Sequence, residues 1–310
     1  MARRIRAPGR SPVIISNDRE LTQNVVDVMA RTDDPRLREI MIALVRHLHD
    51  FVREVGLTEE EFRAATAIIA RLGQLTNDTH NEVVLMAGSL GISPLVVLLN
   101  NGNDGTTETA ASMLGPFWRM HAPRVENGAS LIRSPTAGPP FFFTGHVVDR
   151  HGRPVDGAEV DVWHSSPAGL YEQQDPEQAE MNLRGKLTTD DNGTFSFRSV
   201  KPAGYPIPTE GNVVGELLRA QNRHPFRPAH VHVLIVKPGF KTLISQIYMP
   251  DDPRLESDVQ FGVTRHLIAN LVKHDEPRPD DPHVQVPWYS VDYTFVMQPG
   301  ESKLPQPPIK

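Results

Sequence analysis

Residues 141–164, FFFTGHVVDRHGRPVDGAEVDVWH, indicate that the second half of the chain is built from strands. The runs 141–149 and 158–164 combine Val and Phe with alternating polar residues, and the Gly and Pro between them predict a loop. A hairpin is predicted over 186–199, because its Asn192-Gly193 pair favours positive φ. Three further strands are expected, at 229–236, 242–248 and 289–297. Six or more short strands with irregular connections favour a mostly antiparallel β-sandwich over a parallel sheet.

The first third of the chain has helical periodicity instead. In 34–56, DPRLREIMIALVRHLHDFVREVG, one apolar stripe follows helical spacing, and Gly56 is placed to end the helix. The stripe consists of Leu37, Ile40, Met41, Leu44, Leu48, Val52 and Val55. Thr58 and Glu61 form a capping box that predicts a second helix. Shorter helices are expected at 79–89 and 95–100, followed by a linker.

The predicted organisation is therefore α+β, with helices first and strands after them. Four segments are expected: a disordered basic tail at 1–16, a helical N-terminal domain at 17–104, a mostly antiparallel β-sandwich domain at 105–300 with one helix at 258–274, and a Pro-rich tail at 301–310.

The composition limits the class of partner. Of the 310 residues, 39% are hydrophobic and 23% charged, as in an ordinary globular protein, and no apolar run is long enough to span a membrane. The net charge of −6 is spread along the chain without a basic block, which argues against a nucleic-acid partner. The first twelve residues carry four Arg but lack the apolar stretch of a secretory signal, so a cytoplasmic location is expected.

Two histidines form the first candidate site. The sequence contains no Cys, so any bound metal must use nitrogen and oxygen ligands. His230 and His232 are two residues apart in the strand-like run 227–236, RPAHVHVLIV, and strand alternation directs both imidazoles to one face. One ion could bind both, but strands also carry this spacing without a metal.

Two of the five tyrosines complete the candidate site. Tyr171 and Tyr205 lie in loops beside turn-forming residues, where a half-buried ring with a solvated hydroxyl is the alternative interpretation of each. A phenolate is an anionic oxygen ligand, and its pKa of about 10 falls when it coordinates a trivalent ion. Two imidazoles and two phenolates together suit Fe(III).

Several separate motifs, in order and spacing, resemble the intradiol ring-cleavage dioxygenases. They are LGPF at 114–117, GLYE at 169–172, LRGK at 183–186, PAGYPIP at 202–208 and RHPFRPAHVH at 223–232. The resemblance covers about residues 20 to 275 and implies a non-haem Fe(III) enzyme that splits catechols between their two hydroxyl-bearing carbons. Within the family, the region around residues 205–232 is more similar to the enzymes acting on hydroxyquinol (1,2,4-trihydroxybenzene) than to plain catechol enzymes.

The resemblance implies a metal-binding role for four residues. One Fe(III) per subunit is expected, bound by Tyr171, Tyr205, His230 and His232 with a solvent hydroxide as fifth ligand. Tyr171 and His230 are then equatorial, and Tyr205 and His232 axial. Tyr205 is also expected to act as a base that leaves the metal when the substrate binds.

Two more residues match the family's catalytic groups. Arg227 corresponds to its active-site arginine, which stabilises negative charge on the ring, and Gln246 to its glutamine. A surface salt bridge and a satisfied polar side chain are the alternative interpretations of these two residues.

A substrate pocket is also implied by the resemblance. Its expected lining is Leu85, Gly88, Leu114, Gly115, Pro116, Phe117, Ile207, Pro208 and Arg227. For Leu85 and Phe117, ordinary core packing is an equal alternative. Gly88 departs from the family pattern, because hydroxyquinol-type relatives tend to carry an acidic residue there. Its small size is expected to open space and to remove a hydrogen-bond partner for the third hydroxyl.

Three functions therefore remain in competition. The first is cleavage of hydroxyquinol with O2 to maleylacetate, and the second is cleavage of catechol or a substituted catechol to a cis,cis-muconate. The third is a non-enzymatic β-sandwich binding module, since residues 146–163 also resemble the strands of such modules. A zinc hydrolase using His230, His232 and Asp161 is a further, weaker alternative.

The resemblance finally implies a homodimer formed through the N-terminal helices, with lipid sometimes bound at the interface. The apolar stripe that begins at Leu37 is compatible with this interface, but such a stripe would equally cover the sandwich of its own chain.

Overall fold

The computed structural model describes residues 14–77, 80–100 and 108–306. The chain divides into two compact units, residues 1–70 and 71–310. Most of the predicted N-terminal tail, most of the expected linker and the end of the C-terminal tail lie outside the described residues.

The first unit contains the predicted helical hairpin. Its helices are α1 (Asp18–Met29), α2 (Pro35–Val55) and most of α3 (Glu59–Leu75). The Asp34 carboxylate caps α2 by accepting hydrogen bonds from the Arg36 and Leu37 amides, and Gly56 ends the helix with a φ of 61°. The Thr58–Glu61 capping box is confirmed, because each side chain accepts a hydrogen bond from the other residue's amide.

The apolar stripe of α2 remains open over much of its length. Leu48 is 52% exposed, Leu44 46% and Leu37 48%. No residue of α2 is fully buried, although α1 packs against this helix.

Three short helices belong to the second unit. They are α4 (Glu82–Ser89), α5 (Ile92–Asn100) and α6 (Val213–Ala220). The predicted start of α4 at residue 79 lies outside the described residues, and the helix begins at Glu82 because Asn81 caps it through the Val84 amide. Helix α5 starts three residues earlier than predicted, with Pro94 in its first turn, where a proline is tolerated. Helix α6 was not predicted.

No single helix among residues 14–77, 80–100 and 108–306 is both long and apolar enough to cross a membrane; only α4 and α5 taken together, with a 77° bend between them, meet that requirement by length and composition.

The second unit contains the predicted mostly antiparallel sandwich. Its strands are β1 (Pro140–Asp149), β2 (Glu159–His164), β3 (Arg184–Thr188), β4 (Thr194–Val200), β5 (Tyr205–Pro206), β6 (Phe226–Arg227), β7 (His230–Val236), β8 (Leu243–Tyr248), β9 (Leu271–His274) and β10 (Trp288–Met297). One sheet has the order β4-β1-β10-β9, the other the order β3-β2-β7-β8, and β5 pairs with β6 alone. Only the β1–β10 pairing is parallel among these strands.

A single hydrophobic core joins the two larger sheets. Strand β1 alternates between buried and half-buried residues, as a strand with one core face should. The aromatic side chains of the first sheet that enter the core are Phe141, Phe143, Phe195, Phe197 and Phe295. They pack against β-branched residues of the second sheet: Val160, Val162, Val231, Val233 and Ile235. Each of these side chains is nearly inaccessible to solvent, which makes this core the main source of stability of the unit.

Two predictions about the strand half are wrong. The helix expected at 258–274 is absent: this segment contains a short 3₁₀ turn at Arg265–Leu267 and then strand β9. The Asp258 carboxylate accepts hydrogen bonds from Arg227 and from the Gln260 and Gly262 backbone amides instead of capping a helix. Tertiary partners thus override the local helical periodicity.

The expected hairpin at 186–199 is also wrong in its pairing. A tight turn does join β3 to β4, and Gly193 has the predicted positive φ of 72°. However, β3 pairs with β2 and β4 pairs with β1, so the turn connects the two sheets of the sandwich. A local turn signal does not specify which strands pair.

The loop after β1 is fixed by one carboxylate. Asp149 accepts hydrogen bonds from the amides of His151 and Arg153 at 2.8 and 3.0 Å, and from Nε of Arg153 at 2.8 Å. Burial alone would raise the pKa of Asp149, but the Arg153 side chain and these amides outweigh it and lower the pKa from 3.8 to about 2.

We predict that Asp149 stabilises the fold above about pH 4 and loses this contribution as the pH falls toward 2, because its pKa is lower in the folded chain. Asp149→Asn should therefore lower the urea unfolding midpoint at neutral pH, and the difference from wild type should shrink below pH 4. The matched control is Asp191→Asn at an exposed position of the β3–β4 turn. A deficit in Asp149→Asn that is independent of pH would contradict this role.

Candidate functional site

Strand β7 places two imidazoles side by side in the interior. Nε2 of His230 lies 3.1 Å from Nε2 of His232, as the strand alternation predicted. Both side chains are almost completely buried. Burial, as the larger cause, and then the Arg227 charge lower the pKa of His230 to about 3. Burial and then the neighbouring His230 lower the pKa of His232 well below its usual value. Two neutral imidazoles at this separation share one proton or present both lone pairs to one cation.

Two loops bring the tyrosines beside this histidine pair. Tyr171 lies in the β2–β3 connection, and Tyr205 begins β5. The loops approach closely because Gly169 has a φ of 75° and no side chain, and a Cβ there would lie 2.8 Å from the Gly204 carbonyl oxygen. The Tyr171 and Tyr205 rings consequently meet edge to face, with their centroids 5.3 Å apart.

The two phenols and two imidazoles form one buried cluster. The Tyr205 ring centroid is 5.5 Å from that of His230, and the Tyr171 ring centroid is 6.4 Å from that of His232. The alternative in which each phenol is half-buried and solvated is therefore not what the structure shows, since Tyr171 is 1% and Tyr205 3% exposed.

An unpaired polar atom in this cluster is consistent with a bound cation. Within the described part of the chain, the buried Tyr171 hydroxyl has no hydrogen-bond partner. Burial, followed by the neighbouring Tyr205, raises the pKa of Tyr171 well above its usual value, so the isolated phenol stays protonated. An unpaired buried phenol costs free energy that coordination to a metal ion would recover.

The zinc-hydrolase alternative finds no support in this geometry. Asp161 accepts hydrogen bonds from Nζ of Lys186 at 2.9 Å and from Nε1 of Trp118 at 3.3 Å. In the described ranges, no cluster of three or more His, Cys, Asp or Glu side chains could hold a metal ion. A metal site here depends on the phenols.

Buried aromatic and charged groups fix the orientation of the cluster. The Trp163 ring stacks on His232 with centroids 4.6 Å apart, and the Phe117 ring stacks on Tyr171 at 4.3 Å. Arg184 lies beside the Tyr171 ring, donates to the Phe117 carbonyl at 2.6 Å, and pairs with the Glu172 carboxylate at 2.8 Å. The LRGK segment at 183–186 is therefore bound to the GLYE segment at 169–172 through the Arg184–Glu172 pair, and this contact holds the Tyr171 loop in place.

Arg227 is held beside the cluster by a second buried network. It donates to the Asp258 carboxylate at 3.1 and 3.2 Å, to the Gln246 side-chain oxygen at 2.8 Å and to the Tyr248 hydroxyl at 2.8 Å. Gln246 lies opposite His232 in the β7–β8 register. Burial alone would raise the pKa of Asp258, but the Arg227 charge lowers it, so the pair is ionised. Arg227 is not in a surface salt bridge.

A cavity of about 300 Å³ opens next to the cluster. Most of the predicted pocket residues line it, namely Leu85, Leu114, Gly115, Pro116, Phe117, Ile207, Pro208 and Arg227. Tyr205 is the member of the tyrosine–histidine cluster that borders the cavity directly. Gly115 closes one side against His232, because a Cβ at this residue would lie 3.1 Å from Cε1 of that histidine.

The prediction for Gly88 is wrong. Gly88 does not line the cavity, and the space it leaves is occupied by Gln260, whose Oε1 lies 1.7 Å from the position a Gly88 Cβ would take. Sequence spacing could not reveal this contact, because the two residues are 172 positions apart and Gln260 lay in the segment predicted to be helical.

Other site residues were missed by the sequence analysis. The cavity is also lined by His80, Asn81, Val84, Ser93, Val97, Met113 and Gln260. No local motif marks these residues, and Asp258 has none either. Tyr248 could have been found, because it lies two residues after Gln246 on β8 and strand alternation places both on one face.

Comparisons with known proteins agree with this geometry. The family described as "Catechol dioxygenase N terminus" matches residues 34–107, and the family described as "Dioxygenase" matches residues 113–299. The chain is 40% identical over 279 residues to hydroxyquinol 1,2-dioxygenase of Rhizobium sp. (strain MTP-10005), covering 89% of this chain and 93% of that one. It is 37% identical to catechol 1,2-dioxygenase of Candida albicans, covering 84% and 86% respectively.

A solved structure gives the same result. The hydroxyquinol 1,2-dioxygenase from Pseudomonas putida DLL-E4 superimposes with a TM-score of 0.83 at 37% identity, covering 91% of this chain and 99% of that one. With the two family matches and a 40% identical relative, the chain belongs to the intradiol ring-cleavage dioxygenases.

Proposed function

We propose that this enzyme is a hydroxyquinol 1,2-dioxygenase, which uses O2 to open 1,2,4-trihydroxybenzene between its adjacent hydroxyl-bearing carbons and forms maleylacetate. Both oxygen atoms of O2 enter the product. The observation that carries the proposal is the buried cluster of two phenols and two imidazoles beside a ring-sized cavity. The hydroxyquinol 1,2-dioxygenases among its relatives support the choice of substrate.

The proposed cofactor is one Fe(III) per chain, held by Tyr171, Tyr205, His230 and His232. Members of this family use non-haem iron, and the cluster offers neutral nitrogen donors and phenol oxygens, of which the Tyr171 hydroxyl is unpaired. Bound there, ferric iron supplies the Lewis acidity that a catecholate needs in order to react with O2.

The position of Tyr205 suits a proton acceptor. Tyr205 borders the cavity, whereas Tyr171, His230 and His232 are buried and do not line it. A substrate hydroxyl in the cavity is therefore adjacent to Tyr205, which as a metal-bound phenolate would take up the proton that the hydroxyl releases.

Arg227 is placed to stabilise the negative charge that develops on the ring. It lines the cavity, its guanidinium charge is permanent, and Gln246 fixes its direction through a 2.8 Å hydrogen bond. The side chains of Leu114, Phe117 and Ile207 supply an apolar wall that excludes water from the ring.

Cleavage of catechol or a substituted catechol is the second candidate function. The observation that favours it is the absence of an acidic side chain at Gly88 together with the largely apolar cavity wall. The similarity to a catechol 1,2-dioxygenase supports it as well.

We predict that hydroxyquinol is cleaved with a higher kcat/KM than catechol or 4-methylcatechol. Oxygen consumption by the iron-loaded protein, with identification of the ring-opened acid for each substrate, measures this preference. A preference for catechol would select the second candidate. A protein that takes up no iron on loading, stays colourless and cleaves none of the three substrates would favour the binding module.

We further predict that Tyr205→Phe shifts the visible absorption that phenolate-to-Fe(III) charge transfer gives the wild type, and lowers kcat by about 10²- to 10⁴-fold, because a ligand and a base are lost. Iron content measured on the same samples separates loss of metal from loss of catalysis. Tyr289→Phe makes the same chemical change on β10, away from the residues that line the cavity, and serves as the control. An unchanged spectrum in Tyr205→Phe would contradict its assignment as a ligand.

We also propose that the chain forms a homodimer through its N-terminal helices, with lipid as an additional ligand of that interface. The support is the half-exposed apolar stripe of α2, in which Leu44 and Leu48 are 46% and 52% exposed.

Leu44→Glu with Leu48→Glu should convert the dimer to a monomer, because burying two carboxylates at an apolar interface is unfavourable. Light scattering after size exclusion should give twice the 34.5 kDa chain mass for wild type and the single mass for the double variant. Arg46→Glu, an exposed residue of α2 outside the stripe, is the control for added charge. A monomeric wild type would contradict this proposal, and lipid extraction of the dimer tests the lipid.

A further inference from the structure

We propose that Gln260 determines substrate specificity by accepting a hydrogen bond from the third hydroxyl of the substrate ring. This inference rests on the proposed function and adds to it the group that recognises hydroxyquinol. Its basis is the position of the Gln260 carboxamide, which fills the space over Gly88 and borders the cavity.

The fit between Gly88 and Gln260 excludes a side chain at residue 88. A Cβ on Gly88 would lie 1.7 Å from Oε1 and 2.8 Å from Cδ of Gln260. A side chain at residue 88 and the observed Gln260 conformation are therefore mutually exclusive. The carboxamide occupies the space that such a side chain would take and brings a polar group to this side of the cavity.

The carboxamide is held in a defined orientation. Nε2 of Gln260 donates to the Ser89 hydroxyl oxygen at 2.9 Å, and the side chain is 7% exposed. Arg223 bridges the two segments by donating to the Ser89 and Val259 carbonyls, at 2.8 Å each. The side-chain nitrogen is thereby engaged, and Oε1 is the acceptor that the Gln260 carboxamide offers to a group in the cavity.

The position of Gln260 is coupled to that of Arg227. The Gln260 backbone N–H donates to the Asp258 carboxylate at 3.1 Å, and the same carboxylate binds Arg227. One buried carboxylate therefore fixes both the Arg227 guanidinium and the backbone of Gln260, two residues that line the same cavity.

Other polar groups of the cavity are less suited to this task. Nε2 of His80 is 2.6 Å from the Glu82 carboxylate, and the Asn81 side-chain oxygen accepts from the Val84 amide. Ser93 remains as the competing candidate, since it also lines the cavity. A binding group that loses its partner when catechol replaces hydroxyquinol discriminates strongly between the two substrates.

The test is the ratio of kcat/KM for hydroxyquinol to that for catechol, measured on iron-loaded wild type and variants. Gln260→Leu and Gln260→Met both remove the carboxamide and keep a side chain of similar size. Met is unbranched, so the second variant shows whether the branched Leu side chain causes a folding defect. We expect the ratio to fall about tenfold in each variant, because kcat/KM for hydroxyquinol falls while kcat/KM for catechol stays the same. Gln74→Leu makes the same chemical change at an exposed position of α3 and should leave the ratio unchanged.

A double-mutant cycle tests the contact with Gly88. Gly88→Ala should lower the ratio in wild type, because the new methyl group displaces the carboxamide, and should have no further effect on it in a Gln260→Ala background. Additive effects on the ratio would overturn the proposed coupling.

The failures of the two proposals are distinguishable. An unchanged ratio in Gln260→Leu and Gln260→Met, or a fall in Ser93→Ala instead, overturns the inference and leaves the hydroxyquinol dioxygenase intact. A folded, iron-loaded wild type that cleaves neither substrate overturns the proposed function and this inference with it.

Discussion

The burial of β7 on both faces is the constraint on which the second unit depends. One face carries Val231, Val233 and Ile235 into the sandwich core, so the register of the strand cannot slip by one residue without exposing them. The same register fixes His230 and His232 on the other face, where Trp163 and the two tyrosine loops cover them. The free energy of the core thus holds the two imidazoles at their close separation.

Buried ionic networks then connect this strand to the loops. Arg184 ties the Tyr171 loop to the Phe117 segment, and Asp258 ties Arg227 to the loop of Gln260. Each charge is paired with an opposite charge and hydrogen-bonded, which offsets the free-energy cost of burying it. Removing one partner would leave the other charged and buried, which makes these contacts determinants of geometry as well as of stability.

The sequence predicted what depends on local periodicity and on recognisable motifs. Helix α2, its end at Gly56, the β-rich second half and the proximity of His230 to His232 follow from spacing. The sheet order does not follow from local signals: the turn at Gly193 was recognised, but its two strands pair in different sheets. The segment after Asp258 was misassigned because its carboxylate is bound by Arg227, a partner distant in sequence. The filling of the space over Gly88 by Gln260 was missed for the same reason.

The two sides of the cavity have different origins. The groups proposed for chemistry, Tyr205 and Arg227, come from strands β5 and β6, whereas Val84, Leu85 and Val97 come from the short helices α4 and α5. Changes in the volume of these helical side chains would alter which ring substituents fit without disturbing the paired strands opposite. Substitutions in the helical wall alone can therefore change the range of aromatic substrates during evolution, while the groups proposed for catalysis stay in place.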